Sequence, residues 1–300
     1  MFKTFDPSQM AHSDLHRLML GAIAPRPIAF ASTVDADGNP NLAPFSFFNA
    51  FGVNPSTIIF SPSRRGRDNT TKDTFNNLKE VPEVVINAVT YAMVEQVSLA
   101  STEFPKGVNE FEKAGFTMLG SEKVRPFRVG ESPVQWECKV REIIETGSGG
   151  GAANLVVCEV LLVHIAGTVL TPAGGIHTPD LDLVGRMGGD YYVRAHGNAL
   201  FEVEKPLSKP AIGIDVLPFI LRNSPLLTGN ELGKLGSSER EPDSKEKDAA
   251  ADLPEVKAIL ENKLLTFEAK TEKLHFIIRS FLAANRKQEA LAIGYLDPEG

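Results

Sequence analysis

The chain has 300 residues, 42% of them hydrophobic and 23% charged, which is enough for one large or two modest cores of an ordinary globular protein. Two cysteines exclude a disulfide scaffold or a four-cysteine zinc site. A net charge of −7 and a pI near 5.5 speak against a broad nucleic-acid face. The charged N-terminal segment lacks the apolar region of a signal peptide, and no apolar run approaches the length of a membrane span, so a soluble cytoplasmic protein without membrane contact is expected.

His12 and His16 stand four apart on a possible first helix, without a third metal ligand nearby in sequence, so no metal site is expected. Pro27–Val34 is apolar and β-favouring, the turn Asp35-Ala-Asp-Gly-Asn39 breaks it, and Leu42–Phe51 reads as a second extended stretch, together a hairpin. Thr57–Phe60 and Val84–Val89 read as short buried strands, Val134–Ile144 and Leu155–Val169 as longer ones. Helical periodicity enters at Thr71–Leu78 and at Tyr91–Ala100, where Met93, Val94, Val97 and Ala100 form one stripe. Strands in succession with a few inserted helices predict a mainly β fold, an antiparallel barrel.

The segment Ser61–Thr74 gathers Arg64, Arg65, Arg67 and Lys72 among five hydroxyl side chains, between a buried strand and a helix start. A helix N-terminus with added cations and hydroxyls points to an anion site. The plainer alternative is a solvated basic loop with Asn69 or Thr70 as N-cap. The Gly-Lys-Ser/Thr of a P-loop is missing. Gly147-Ser-Gly-Gly-Gly-Ala152 matches a dinucleotide fingerprint only superficially, because a strand-like run follows it rather than a helix; it reads as a hairpin tip. Cys138 and Cys158 lie in apolar strands and read as packing residues. No catalytic triad or paired-carboxylate motif stands out.

The last third changes character. Ser237–Asp252 holds no large apolar residue and is expected to be an exposed linker or mobile loop. Asp252-Leu-Pro-Glu255 has the form of a capping box. Val256, Ile259, Leu260, Leu264 and Phe267 form one helical stripe, and Leu274, Ile277, Ile278, Phe281 and Leu282 a second. Residues 1–205 are therefore expected to form the β domain and 206–300 a helical C-terminal extension. Its segments Lys209–Asp215 and Leu227–Gly236 look ordered and are expected to cover the barrel or embrace a second subunit.

Taken in order, Arg26-Pro-Ile-Ala-Phe-Ala-Ser-Thr33, Asn41-Leu-Ala-Pro-Phe-Ser-Phe-Phe48, Lys72-Asp-Thr-Phe-Asn-Asn77, Glu131-Ser-Pro133, Glu137-Cys138 and Arg186-Met-Gly-Gly-Asp-Tyr191 resemble the flavin reductase-like family, in particular its flavoredoxin-like branch. The resemblance covers about Met19 to Tyr192 and implies an FMN-binding split β-barrel that works as a homodimer. It implies that Asn41, Leu42, Ala43, Pro44, Phe45 and Ser46 run along the isoalloxazine ring and offer it backbone N–H groups. Ser61, Lys72 and Thr74 would hold the phosphate, with Asn77 supporting them. Arg26, Ser32 and Thr33 would approach the flavin, and the turn from Arg186 to Tyr191 would close the pocket, from the partner subunit in one version. His177 reads as a loop residue beside that turn. The implied activity is NAD(P)H-dependent flavin reduction, with hydride passing from nicotinamide to flavin N5 and no side-chain acid or base required. Two further readings are an FMN electron carrier reduced by a partner protein and a non-catalytic flavin-binding barrel.

Overall fold

The computed structural model describes residues 1–205 and 209–299, so the expected start of the extension, Pro206, lies outside the described residues. The chain divides into two compact units, Met1–Phe201 and Glu202–Gly300.

The first unit begins with α1 (His12–Ala22) and then the strands β1 (Ala29–Val34), β2 (Pro40–Phe45), β3 (Phe48–Val53) and β4 (Ser56–Phe60). Next come α2 (Asp73–Glu80), β5 (Glu83–Asn87), α3 (Val94–Ala100), α4 (Glu110–Ala114) and the short pair β6 (Met118–Leu119) and β7 (Arg128–Val129). The long strands β8 (Val134–Glu145) and β9 (Asn154–Ile165), the single turn α5 (Thr178–Leu181) and the hairpin β10 (Val184–Arg186) and β11 (Tyr192–Arg194) complete it.

Seven strands form one antiparallel sheet in the order β2-β1-β5-β8-β9-β4-β3. The two end strands of that order, β2 and β3, are consecutive in the chain and joined only through Ser46 and Phe47, so the sheet curls back on itself at that joint. This is the split barrel. The stretch expected as one strand, Leu42–Phe51, is thus two strands broken at the bend, where Phe47 O accepts from Ser61 N–H at 2.9 Å.

Every residue of β1 is buried, which explains its unalternating apolar sequence. Ala29 and Ala31 face the barrel core with Phe45, Phe60, Val84, Ile86, Cys138 and Val156. Ile28 and Phe30 face outward under α3 and α4, against Met93, Val97, Phe111 and Phe116. Gly147–Ala152 forms the tip between β8 and β9, which pair through Glu145↔Asn154. Both cysteines are free and fully buried; burial pushes the Cys138 thiol up to about 12 and raises that of Cys158 well above its ordinary value. A thiol-reactive disulfide reagent is expected to leave both untouched in the native protein and to label both after unfolding. Labelling of the native chain would show that these strands open.

The second unit comprises α6 (Phe219–Arg222), α7 (Gly229–Gly236), α8 (Ser244–Ala251), α9 (Pro254–Leu260), α10 (Phe267–Ala283) and α11 (Lys287–Gly294). Its core joins Leu217, Leu235, Val256, Ile278, Leu282 and Leu291. The expected linker is mostly structured: Ser238 is buried, and α8 carries a reciprocal capping box of Asp243 and Glu246. Large apolar residues are not needed there, because Ala250 supplies the helix's buried contact. The capping box expected at Asp252–Glu255 does not form. Asp252 ends α8, Leu253 occupies the N-cap of α9 without a side-chain bond, and Pro254 takes the first turn. The stripe from Val256 to Phe267 is likewise interrupted between α9 and α10, with Leu264 94% exposed. Lys209–Asp215 and Leu227–Gly236 meet each other, Ile212 N–H donating to Ser238 O and Gly213 N–H to Gly236 O. A Cβ on Gly236 would lie 3.0 Å from that backbone, so a larger residue would have to push the crossing apart.

Candidate functional site

The loop after β4 was the strongest sequence signal, and its cations divide sharply once folded. Arg64 turns back onto Asn69, its Nε donating to Oδ1 at 2.7 Å and its Nη2 to the backbone oxygen at 2.6 Å. Arg65 pairs with Glu103 at 2.9 Å and donates to Thr71 O at 2.5 Å. Arg67 pairs with Glu103 and Asp68. Lys72 has no carboxylate partner among the described residues. Its ammonium lies 5.7 Å from the Phe45 ring centroid, and burial, together with repulsion from Arg65, holds its pKa below the usual lysine range despite Glu103.

Lys72 is also the N-cap of α2, in place of the expected Asn69 or Thr70; Asn69 instead takes a left-handed conformation, with φ of 59°. No side chain caps the first turn of α2. Thr74 is buried there, and its Oγ1 accepts from Asn41 Nδ2 at 2.9 Å, which leaves the hydroxyl proton to donate elsewhere. Asn41 Nδ2 also reaches Thr33 Oγ1 at 3.3 Å, and Asn77 Nδ2 reaches the same oxygen at 3.2 Å. Four predicted residues, Thr33, Asn41, Thr74 and Asn77, thus form one hydrogen-bonded cluster behind the start of α2. Asn41 and Asn77 also border a hollow of about 250 Å³ lined by Asp35, Asp37, Asp73 and Glu80, which repels anions. The anion-attracting side of the helix start is therefore that of Lys72 and Thr74.

Ser61 is buried, with its Oγ 3.2 Å from Ser63 Oγ and accepting from Asn154 N–H at 3.2 Å. Asn154 Oδ1 is buried without a partner among the described residues. Ser32 is fully buried in β1 with its hydroxyl unpaired, and Thr33 is fully buried as well. Neither offers a surface to a ligand in this conformation, because both lie inside a strand covered on two faces.

The segment Asn41–Ser46 departs from the expected row of backbone donors. The Leu42 N–H donates to Glu110 Oε2 at 3.0 Å, so it points away from β1; alternation then turns those of Asn41, Ala43 and Phe45 toward β1. Pro44 has no N–H. Leu42 and Phe45 bury their side chains in the two cores, while Ala43, Pro44 and Ser46 are half-buried. Ser46 remains the segment's outward donor.

Arg26 is buried and spends its guanidinium on the chain itself. It donates to Leu20 O and Ile23 O at 2.6 Å, to Met187 O at 2.9 Å and to Ser46 Oγ at 3.3 Å. Its backbone exchanges two bonds with Arg186, each of 2.9 Å. The Arg186–Tyr191 turn is therefore clamped to its own chain, and a Cβ on Gly188 would meet Gly21 Cα at 3.0 Å. Arg186 stacks on Tyr192, 4.6 Å from the ring centroid, and Tyr191 is 78% exposed. Among the described residues no hydrogen bond or ion pair joins this turn to Ser61, Lys72 or Thr74; the link runs through Arg26 to Ser46. His177 pairs with Asp180 at 2.7 Å. Sequence reading missed Glu103, Glu110 and Asn154, which have no local signature because each acts on a distant segment.

The Flavin reductase like domain family matches residues 20–178. An uncharacterized protein of Aquifex aeolicus is 38% identical over 189 residues, 63% of this chain and 94% of its own length. One of Halalkalibacterium halodurans is 36% identical over 203 residues, 67% of this chain and 95% of its own. Among solved structures, nitrilotriacetate monooxygenase component B from Bacillus cereus is 29% identical with a TM-score of 0.63, covering 68% of this chain and 99% of that one. The flavoredoxin of Desulfovibrio vulgaris, 20% identical with a TM-score of 0.53 over 69% of this chain and 98% of its own, shares the fold. Barrel order, the ordered motifs along β1, β2 and α2, and these matches agree: the chain belongs to the flavin reductase-like family of split-barrel oxidoreductases.

Proposed function

We infer that the protein is an NAD(P)H-dependent flavin reductase that holds FMN at the start of α2. The observation that carries this reading is Lys72, a half-buried ammonium without a carboxylate partner among the described residues, at a helix start that no side chain caps. Lys72 and the first N–H groups of α2, with the buried Thr74 hydroxyl behind them, suit a phosphate, which supplies the missing negative charge and acceptors. Ser61 stiffens the loop behind them, and Asn41, Asn77 and Thr33 fix the Thr74 hydroxyl. Ser46, oriented by Arg26, is the polar donor for the ring edge. When bound, the flavin supplies the hydride chemistry at N5, with nicotinamide as the donor. The chain's residues bind and orient both, and no proton-transferring side chain is assigned.

A homodimer fits the same reading. Phe51 and Val53 of β3 and Leu161, Val163 and Ile165 of β9 are exposed apolar side chains on the barrel, a surface that a second copy covers.

Gel filtration of the FMN-saturated protein, followed at the flavin bands, tests both points. Flavin is expected to co-elute at the position of a dimer and to bleach on anaerobic addition of NADH or NADPH. Retained flavin that neither nucleotide bleaches would replace the reductase with an electron carrier reduced by a partner protein. Protein that elutes without flavin would overturn tight FMN binding.

A further inference from the structure

The helical unit contains a cavity of about 310 Å³, lined by residues of that unit. Its wall includes one stripe of α10, Phe267, Thr271 and His275 at four-residue spacing, facing Ile220 and Ile293. Asp297 lines the cavity and is exposed; among the described residues no lysine or arginine lines it, and Lys270 Nζ donates to the oxygen of the lining Pro298 at 3.2 Å. A benzene-sized ligand occupies an apolar cavity of about 150 Å³, so this one admits a substituted ring.

His275 gives the cavity a directed polar group. It is 4% exposed, and its Nδ1 lies 2.8 Å from Ser224 Oγ. Ser224 Oγ already accepts from Leu226 N–H and Leu227 N–H, both at 3.2 Å. Both lone pairs are then occupied, so the hydroxyl proton must donate to Nδ1. The proton of the neutral ring therefore resides on Nε2. Burial also depresses the imidazole pKa, in keeping with a neutral ring. His275 lines the cavity and Ser224 does not, so the ring edge away from Ser224, which carries Nε2–H, is the one available to it. The Thr271 hydroxyl donates its proton to Phe267 O at 2.9 Å and does not compete for that role.

We propose that this cavity is a binding site for an uncharged, ring-sized carbonyl compound whose oxygen accepts from His275 Nε2–H. The apolar wall takes the ring, and the histidine supplies orientation. An anionic ligand is disfavoured by Asp297.

The test uses the full-length protein carrying ¹³C-labelled isoleucine and threonine methyl groups, titrated with acetophenone, its isostere α-methylstyrene, and benzoate. Acetophenone is expected to shift the Ile220, Ile293 and Thr271 methyl signals and to bind at least five-fold tighter than α-methylstyrene. The His275→Phe protein is expected to lose that preference. Thr271→Leu, which fills the cavity from an accessible helix face, is expected to abolish binding of both ligands and keeps the proposal testable if His275→Phe does not fold. Equal binding of acetophenone and α-methylstyrene, benzoate binding as tightly as acetophenone, or no shifts at these methyl groups would overturn it.

Discussion

Replacing Lys72 with alanine is expected to raise the dissociation constant for FMN about 10- to 100-fold, the loss of one charge-assisted hydrogen bond of about 1.5–3 kcal/mol. Arg64→Ala, in the same loop, is expected to change it less than about three-fold, because Arg64 is already committed to Asn69. The contrast separates a specific ammonium from general positive charge, which the sequence alone does not separate. Riboflavin, which lacks the phosphate, supplies the second arm. The wild-type protein should prefer FMN over riboflavin, and Lys72→Ala should erase most of that preference. The pH dependence follows from the sign of the shift. Burial and Arg65 lower the Lys72 pKa, so FMN affinity is expected to fall with rising pH before the usual lysine range is reached. Isothermal titration at several pH values reads all three quantities. An FMN affinity unchanged in Lys72→Ala would remove the phosphate from the start of α2.

The second large effect is expected at Glu137, whose carboxylate is fully buried in β8. It accepts from Glu122 N–H at 2.9 Å and Lys123 N–H at 2.6 Å and meets His164 Nε2 at 2.7 Å. The loop between β6 and β7 is thereby tied to the barrel. Glu137→Ala strands two backbone donors and an imidazole, and about 3 kcal/mol of stability is expected to be lost at pH 7. Burial pushes the Glu137 pKa up, but the hydrogen bonds from Glu122, His164 and Lys123 outweigh it, and the net value lies below the ordinary one. A carboxyl depressed on folding stabilises above its unfolded pKa and loses that contribution as pH falls through its folded pKa. The gap between wild type and Glu137→Gln should therefore be widest at neutral pH and close in acid, below about pH 4.3. Trp136, the single tryptophan of the chain, is adjacent in β8, so its fluorescence during urea unfolding reports the barrel unit without the helical one. A gap that does not change with pH would show that the carboxylate charge contributes nothing.

Local chemistry made much of the barrel readable in advance. The β1–β2 hairpin follows from an apolar run and an Asp-Gly-Asn turn, and the long pair β8 and β9 from apolar strands around a glycine tip. The second stripe of α10 packs as its periodicity requires, with Leu274, Ile278, Phe281 and Leu282 buried. α8 shows a different case. Its capping box at Asp243 and Glu246 is present in the sequence, but its charge-rich composition reads as linker because alanine contributes little hydropathy while still filling a close helix contact.

The sequence by itself determined most of the strands, the family motifs and the placing of a cation-rich loop before a helix, because each depends on neighbours within a few residues. Only the tertiary structure decided which cation stays available. Glu103, some forty residues away, neutralises Arg65 and Arg67, and that pairing depends on where the chain returns rather than on local pattern. It likewise assigned the Leu42 N–H to Glu110 and the Arg26 guanidinium to the clamp on Arg186–Tyr191, since a hydrogen bond between distant segments leaves no period or spacing in the chain.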